Sequence, residues 1–306
     1  MALTLLEASK SAPNAETLAV IKELTEGDLL SALPFKNISG SGIHFRREES
    51  LGGVGFRHLN AGLTEEYGQT SQQSEALKYW GGDVSVDRAI IETQGPEARS
   101  FQVQSKIRAM RMAFERVFIK GSEATSNGLE FDGLEKRCGT AGSTSQALDN
   151  GGDGLSLGAL DELIDEVDAQ GATPLLLMSK QMRRRLTQAS RDGGINGGIH
   201  ISTDEWGRQR IGYNDTRIMI LDRDETNTEI LGANEPGSTS SIYCVAFGDL
   251  LTCGIQNGGI SVRDLGESHT LPSYLTRIEW YCGLTVMNGR SVARLHNIDP
   301  AKAAVL

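Results

Sequence analysis

The densest group of side chains that could do chemistry lies in LSLGALDELIDEVDAQG, residues 155–171. Its acidic members are Asp161, Glu162, Asp165, Glu166 and Asp168. Clustered carboxylates can ligate a metal ion or act as a general acid and base. The segment also carries apolar residues at helical spacing behind a capping residue, Ser156. These apolar residues are Leu160, Leu163, Ile164 and Val167. We therefore interpret the segment as an amphipathic helix whose carboxylates occupy the solvent face.

Other patterns that could mark an active site are weaker. GGINGG (193–198) lacks the preceding strand and the Lys-Ser/Thr ending of a phosphate-binding loop, so we interpret GGINGGIH (193–200) as a flexible loop. No Gly-x-Ser-x-Gly elbow is present. The five histidines lie at no metal-ligand spacing: His44, His58, His200, His269 and His296. The sequence therefore predicts a protein that is not an enzyme and has no catalytic residue, metal site or cofactor.

Composition narrows the class of protein further. The chain has 306 residues, 39% of them hydrophobic and 23% charged, as in ordinary globular proteins. A net charge of −10 argues against a surface built to bind nucleic acid, which requires clustered Lys and Arg. The four cysteines show no Cys-x-x-Cys spacing, so we expect free thiols in a reducing compartment. We expect no signal peptide, because MALTLLEASKSAPNAE lacks a basic and then an apolar region, and no membrane span.

The strongest local signal is a long amphipathic helix over residues 95–120. Gly95-Pro96-Glu97 is typical of a helix start, and Gly121 of a helix end. One apolar stripe runs along it through Val103, Ile107, Met110, Phe114 and Val117. About 24 residues at roughly 1.5 Å each give a helix on the order of 36 Å long, unusual in a globular domain. Its basic residues lie off the stripe, which favours a solvated face for Lys106, Arg108, Arg111 and Arg116.

The remaining periodicities predict an α+β protein. Residues 15–33 form one short helix or two, residues 122–155 a loop, and the segment after Ser179 a helix with Met182, Leu186 and Ala189 facing inward. Predicted strands cover 81–93, 173–179, 217–221, 241–247, 251–256, 260–265 and 276–286. Asn288-Gly289 predicts a tight hairpin that joins the last of these strands to residues 291–298.

One long stretch has no apolar periodicity that would attach it to a core: GIHFRREESLGGVGFRHLNAGLTEEYGQTSQQSEALKYW, residues 42–80. Its glycines and its strand-like ends indicate a long hairpin-like excursion, with 81–93 as the returning strand.

The order of these elements resembles the major capsid proteins of tailed bacteriophages, which share the Hong Kong 97-type fold. The resemblance covers nearly the whole chain and implies four parts. These are an N-arm (1–36), an extended E-loop with its base strands (37–92), a peripheral domain (93–122 with 261–306) and an axial domain (123–260). The helix over 95–120 resembles that family's spine helix, and 265–275 its loop near the local three-fold axis.

The resemblance implies a structural function. Copies of the chain would assemble as hexamers and pentamers into an icosahedral shell enclosing double-stranded DNA, without sequence-specific binding to it. The shell would be a virion capsid assembled in the host cytoplasm. In this fold the E-loop lies across an adjacent subunit, which gives inter-subunit contacts to Phe45, Arg46, Arg47, Glu48, Glu49 and Arg57. The three-fold loop would present Glu267, His269 and Tyr274.

Two departures from the family pattern carry further expectations. Some members join subunits through an isopeptide bond between an E-loop lysine and an asparagine of the three-fold loop. Residues 37–77 contain no lysine and residues 264–276 no asparagine, so we expect no such cross-link. About fourteen residues precede the first predicted helix, too few for a cleaved scaffolding extension. The expected partners are therefore a separate scaffolding protein and a portal protein, and the resemblance allows for a decoration protein.

Two alternative functions remain open at the level of sequence. An encapsulin-type nanocompartment shell has the same fold and holds cargo enzymes in place of a genome. A soluble α+β hydrolase would use the carboxylates of residues 161–168.

Overall fold

The computed structural model describes residues 3–5, 7, 15–25, 27–50, 52–60, 62, 65–95, 97–138, 146–192, 199–203 and 209–304. The predicted loop GGINGGIH lies largely outside these residues, apart from its last two, which begin a strand. In the described part of the chain, no helix is both long and apolar enough to cross a bilayer.

The described residues form the following helices and strands, given in chain order. The helices are α1 (Ala15–Leu24), α2 (Asp28–Ala32), α3 (Arg88–Gln94), α4 (Glu97–Lys120), α5 (Leu134–Arg137), α6 (Leu157–Asp165) and α7 (Lys180–Asp192). The first strands are β1 (Leu3–Thr4), β2 (Pro34–Asn37), β3 (Gly42–Ser50), β4 (Gln69–Ala76), β5 (Lys78–Asp87), β6 (Ala147–Asp149) and β7 (Pro174–Met178). The later strands are β8 (Ile199–Thr203), β9 (Gln209–Tyr213), β10 (Thr216–Ile220), β11 (Ser240–Ala246), β12 (Thr252–Glu267), β13 (Ser273–Val286) and β14 (Val292–Ile298).

A five-stranded sheet in the order β1-β2-β12-β13-β5 supports the long helix α4. The apolar stripe of α4 faces the core, with Ile107, Met110, Phe114 and Val117 buried and Val103 partly buried. Four of the five stripe residues are thus enclosed by the core, and Val103 packs at its edge. Phe114 is at the centre of an aromatic cluster, with ring centroids 5.5 Å from Trp280, 5.7 Å from Trp80 and 5.9 Å from Phe131.

A seven-stranded sheet in the order β6-β14-β11-β7-β10-β9-β8 forms the second layer. Alternate residues of its central strands pack on opposite faces, as the period of two requires. Leu175 and Leu177 of β7 join the core beneath α4, whereas Leu176 and Met178 pack with α6 and α7. The central strands are consequently apolar on both faces, which explains their continuous hydrophobic sequence.

The polar excursion is a separate two-stranded hairpin, β3 paired antiparallel with β4 from Gly42–Ala76 outward. Its return strand is the polar QTSQQSEA (β4) and not the predicted 81–93. The predicted strand instead begins at Lys78, pairs with β13 in the five-stranded sheet and ends at Asp87. The Asp87 side chain accepts a hydrogen bond from the Ala89 backbone amide, and this N-cap starts helix α3 where we expected the strand to continue.

Two strand predictions near the carboxyl terminus are also wrong in detail. Residues 251–256 and 260–265 belong to the single strand β12, which bends at an irregularity where Gly258 and Gly259 have φ of 75° and 77°. Asn288-Gly289 forms no hairpin, because β14 pairs with β11 and β6 of the other sheet. The Asn288 side chain accepts from the Arg290 amide and caps a 3-10 turn, Gly289–Ser291.

Smaller differences concern the middle of the chain. Helix α6 is capped by Ser156 as predicted but ends at Asp165, because Asp168 donates its backbone amide to the Arg290 carbonyl. Helix α5 and strand β6 lie in the predicted loop, and the hairpin β8–β9 was not predicted. The proposed division at residue 260 falls inside β12, and β14 joins the seven-stranded sheet although 261–306 was grouped with the spine helix.

Phe114→Ala should lower the free energy of unfolding of the subunit by roughly 3–5 kcal/mol, because the surrounding rings cannot collapse into the space. Phe101→Ala is the matched control, since Phe101 lies on the same helix and is 67% exposed. That control should change stability by no more than about 0.5 kcal/mol. Denaturant unfolding of free subunits measures both, and equal effects of the two substitutions would contradict this assignment of the core.

Candidate assembly surface

The β3–β4 hairpin is fixed to its own subunit at its base by a buried guanidinium. Arg137 is only 5% exposed and binds the Glu75 carboxylate of β4 through Nη1–Oε1 (2.5 Å) and Nη2–Oε2 (3.0 Å). Its Nε donates to the Asp132 carbonyl (2.9 Å) and its Nη2 to the Leu284 carbonyl (3.1 Å). Arg137 therefore joins the hairpin, the loop before α5 and strand β13 at one point, and the bidentate geometry fixes their orientation.

A second anchor comes from Arg47 of β3. Its guanidinium donates to the carbonyls of Val286 and, at 3.3 Å, Met287, and it lies 5.9 Å from the ring centroid of Phe45. Arg47 is one of the expected inter-subunit contacts; within its own chain it binds these two carbonyls, and its contact with a neighbour stays a prediction. Arg46 points to the opposite face of β3 and is exposed, so it remains a candidate for contact with a neighbouring subunit. The side chains of Glu48 and Glu49 lie outside the described residues.

Beyond these anchors the hairpin carries exposed apolar side chains. We call residues 52–60 the hairpin tip. Val54 and Phe56 are fully exposed and Leu59 is 93% exposed. Arg57, another expected contact, is exposed between them. Such a group of bare large apolar residues is rare on a monomeric surface and typically marks an interaction site.

The expected three-fold loop is the turn between β12 and β13. Glu267 lies 3.9 Å from Arg88, and Tyr274 lies with its ring centroid 5.6 Å from the Arg99 guanidinium. Arg99 also binds Asp264 at 2.7 Å, and this hydrogen bond lowers the pKa of Asp264. His269 is exposed. The loop is thus braced by α3 and α4 of its own subunit and presents His269 outward.

The carboxylates of 161–168 are separately engaged and do not converge on one point. Asp161 accepts from Asn214 (2.8 Å), Glu166 from Gln146 (3.1 Å) and Asp168 from Asn288 (3.3 Å). No cluster of three or more His, Cys, Asp or Glu residues suited to a metal occurs in the ranges that the structure describes. The four cysteines are buried, and burial raises the pKa of Cys244 and Cys253 to about 12. The thiols of Cys244 and Cys253 are therefore protonated core groups.

Two grooves flank the long helix α4, and sequence reasoning found neither. One lies between α1 and α4, has a volume of about 640 Å³ and is lined by Val20, Val103, Ile107 and Val262 among others. We call the other the α3–α4 groove; it has a volume of about 720 Å³ and lies where β5, α3 and α4 meet. The only sequence signal for it was Phe101, an aromatic residue off the apolar stripe of the helix.

Glu75→Ala should lower the free energy of unfolding by roughly 2–3 kcal/mol, because it leaves the buried Arg137 guanidinium without its carboxylate. Asp83→Ala is the control: Asp83 of β5 makes a bidentate pair with Arg277 of β13 (2.8 Å for both bonds), but both of these side chains are exposed. Water screens that pair, so its loss should change stability little. Denaturant unfolding of both variants tests the difference, and a smaller effect at Glu75 than at Asp83 would contradict the anchoring role of Arg137.

Comparison with known proteins identifies the fold. Neither a protein-family model nor a curated protein sequence matches the chain. Several solved structures do match the chain. The SrpI encapsulin from Synechococcus elongatus PCC 7942 matches at TM-score 0.66 and 15% identity, covering 100% of this chain and 99% of that one. The capsid of cyanophage A-1(L) matches at TM-score 0.62 and 11% identity, over 87% and 90% of the two chains.

The capsid of the empty GTA particle is a third match, at TM-score 0.59 and 12% identity, over 86% and 87% of the two chains. At such identities the likeness concerns the fold. The order of elements predicted this architecture, and the prediction is confirmed: the chain has the α+β Hong Kong 97-type fold found in phage capsid and encapsulin shell proteins.

Proposed function

We propose that this chain is the major capsid protein of a tailed phage. Its copies assemble as hexamers and pentamers into an icosahedral shell that encloses double-stranded DNA. The observation that carries the proposal is the anchored hairpin with a bare apolar tip: its base is held by Arg137 and Arg47, and its end carries the exposed Val54, Phe56 and Leu59. A neighbouring copy of the chain would cover this surface.

Physical reasons favour assembly over an isolated subunit. A two-stranded hairpin is marginally stable in water, and among the described residues β3 and β4 pair only with each other. Ordering the tip costs conformational entropy, and packing against another surface would compensate for that cost. A contact between two different surface patches of identical copies repeats from subunit to subunit and closes into rings. Small gains at one contact therefore accumulate over the whole shell.

The negative net charge of the chain supports the proposal that the shell contains DNA. The chain has a net charge of −10, so most of its surface would repel a packaged polyanion and leave it free to move. A separate scaffolding protein, a portal protein and, where the shell is reinforced, a decoration protein are the partners we propose. Assembly takes place in the host cytoplasm, and the product is the virion capsid.

The second candidate is an encapsulin shell. The SrpI encapsulin match extends over the whole chain at TM-score 0.66, whereas the cyanophage capsid match covers 87% of it at 0.62. The two functions share the subunit fold and its assembly contacts. They differ in what the shell holds: a genome in one case, a cargo protein in the other.

Shells purified from cells that make the protein distinguish these functions. A capsid should yield particles with nuclease-resistant double-stranded DNA, and expression of the chain alone should give irregular shells unless a scaffolding protein is added. An encapsulin should close at one size without help and contain protein cargo. Negative-stain images showing only a small dispersed oligomer would overturn both.

Hydrogen exchange should report the covering of the hairpin. In free subunits, the amides of residues 42–76 should exchange rapidly, and in shells those of the hairpin should be protected at least tenfold, because a neighbour then excludes water. The buried strand β11 is an internal control, since it should be equally protected in both states. Equal protection of the hairpin in subunits and shells would contradict coverage by a neighbour.

Mature shells boiled in denaturant and reductant should run as a single band near the 33.0 kDa chain mass. Residues 37–77 lack the lysine and residues 264–276 the asparagine for an isopeptide bond between these loops. A ladder of covalent multimers on the reducing gel would show another linkage. Mass spectrometry of the band would locate it.

A further inference from the structure

We propose that a crevice at the carboxyl ends of strands β7 and β10 binds a phosphate group. The crevice belongs to the seven-stranded sheet and shares no described lining residue with the α3–α4 groove. A phosphate site there goes beyond the proposed function, because it does not depend on what the shell encloses.

The crevice exists because two neighbouring strands run in the same direction. β7 and β10 pair in parallel, with Met178 opposite Ile220 at their last residues. The segments that follow both strands therefore leave the sheet at one edge, which is where parallel strands place ligand sites in α/β sheets. We call the space between these segments the β7–β10 crevice. It has a volume of about 530 Å³ and is lined by the start of α7, by the residues after β10 and by Glu229.

Helix α7 begins with an unfavourable pattern of charge. Arg183 and Arg184 follow Lys180 by three and four positions, so the three cations share one face of the helix, and all three line the crevice. Like charges at this spacing repel each other, and cations near a helix N-terminus also face the positive end of its dipole. The first turn contains no acidic residue that would compensate. An anion bound between these side chains would relieve both unfavourable interactions.

The subunit itself neutralises only part of this charge. The described charged residues that line the crevice are Lys180, Arg183, Arg184, Arg223, Asp222 and Glu229. The two carboxylates pair with Lys180 and, at 3.8 Å, with Arg223. The guanidinium groups of Arg183 and Arg184 form no hydrogen bond or ion pair with any described residue. The crevice therefore carries two uncompensated positive charges, on a chain whose net charge is −10.

The donors of the crevice suit a phosphate group. A guanidinium binds phosphate oxygens through two parallel N–H···O bonds, and two guanidiniums are available here. Ser179 adds a hydroxyl that is buried at the crevice, since the residue is only 6% exposed. Its Oγ accepts from the Met182 amide (3.2 Å), and its hydrogen is donated to no described residue. A phosphate monoester carries about −1.5 to −2 charges at pH 7, which matches the excess positive charge.

The volume indicates that the phosphate belongs to a larger molecule. About 530 Å³ lies within the usual range of small-molecule sites and exceeds the space that one inorganic phosphate fills. Arg183 is half-buried and Arg184 is exposed, so a guanidinium is accessible both to an enclosed compound and to a duplex that lies outside. The phosphate can thus come from a small phosphorylated compound or from the backbone of DNA.

Binding of two probes tests the site and identifies the source of the phosphate. Pyrophosphate stands for a small phosphorylated compound, and a short DNA duplex stands for a nucleic-acid backbone. Isothermal titration calorimetry of the purified full chain measures the Kd of each probe. Arg183→Gln combined with Arg184→Gln should raise the Kd of the binding probe roughly tenfold or more, because hydrogen bonds to charged groups contribute this much.

The matched control combines Lys136→Gln with Arg263→Gln. These substitutions remove the same charge from two exposed side chains that do not line the crevice, so the control should bind like the wild type. The probe with the lower Kd identifies the source of the phosphate. Failure of both probes to bind, or a crevice variant that binds as well as the control, would overturn the proposal. Shell formation is measured separately, so either result leaves the proposed function unaffected.

Thermal unfolding separates a binding role of the two arginines from a structural one. Without either probe, the crevice variant should unfold at the same temperature as the wild type or higher, because repulsion along α7 is reduced. A saturating concentration of the binding probe should raise the unfolding temperature of the wild type and the control but not that of the crevice variant. A crevice variant that unfolds at a lower temperature without probe would show that the arginines support the fold, and this would contradict a binding site.

Discussion

The buried guanidinium of Arg137 is the contact on which the placement of the hairpin depends. None of the described residues of the hairpin belongs to either hydrophobic core, so polar contacts have to hold the hairpin to the body of the subunit. Arg137 binds Glu75 on β4, the Asp132 carbonyl before α5 and the Leu284 carbonyl on β13. A buried charge tolerates few arrangements of its partners. These requirements fix the hairpin base while its distal part remains outside the core.

The rest of the subunit provides a rigid support for this anchor. Helix α4 packs its apolar stripe onto the five-stranded sheet around Phe114, and the central strands β7 and β11 of the seven-stranded sheet are buried on both faces. Tyr243 and Val245 of β11 face the same core as Phe114, whereas Ile242 and Cys244 face α6 and α7. The two sheets and the long helix therefore share packing and would resist relative movement.

Apolar surface that is buried within one subunit stabilises its fold, whereas apolar surface that stays exposed is available for assembly. Within one chain, the aromatic cluster and the sheet interiors are complete. The hairpin tip and the α3–α4 groove instead leave apolar side chains exposed, among them Phe56 on the tip and Phe101 in the groove. Exposed apolar surfaces of this kind are suited to contact with other molecules, including copies of the same chain. A shell that encloses a genome and a shell that encloses cargo proteins can both be built from subunits with such surfaces, so the subunit alone does not distinguish the two functions.

The sequence by itself determined the features that depend on near neighbours in the chain. The stripe from Val103 to Val117, the Ser156 cap and the apolar strands β7 and β11 follow from local spacing or composition. The prediction that 42–80 contributes nothing to the core is wrong at its end, where Leu77 is buried and Trp80 stacks on Phe114. Only the tertiary structure decided pairings between distant residues. The turn preference of Asn288-Gly289 was overridden because β14 gains more by pairing with β11, and Arg137 meets Glu75 across 62 positions. Strand pairing and buried ion pairs depend on surfaces that exist only after the chain has folded, so local patterns cannot specify them.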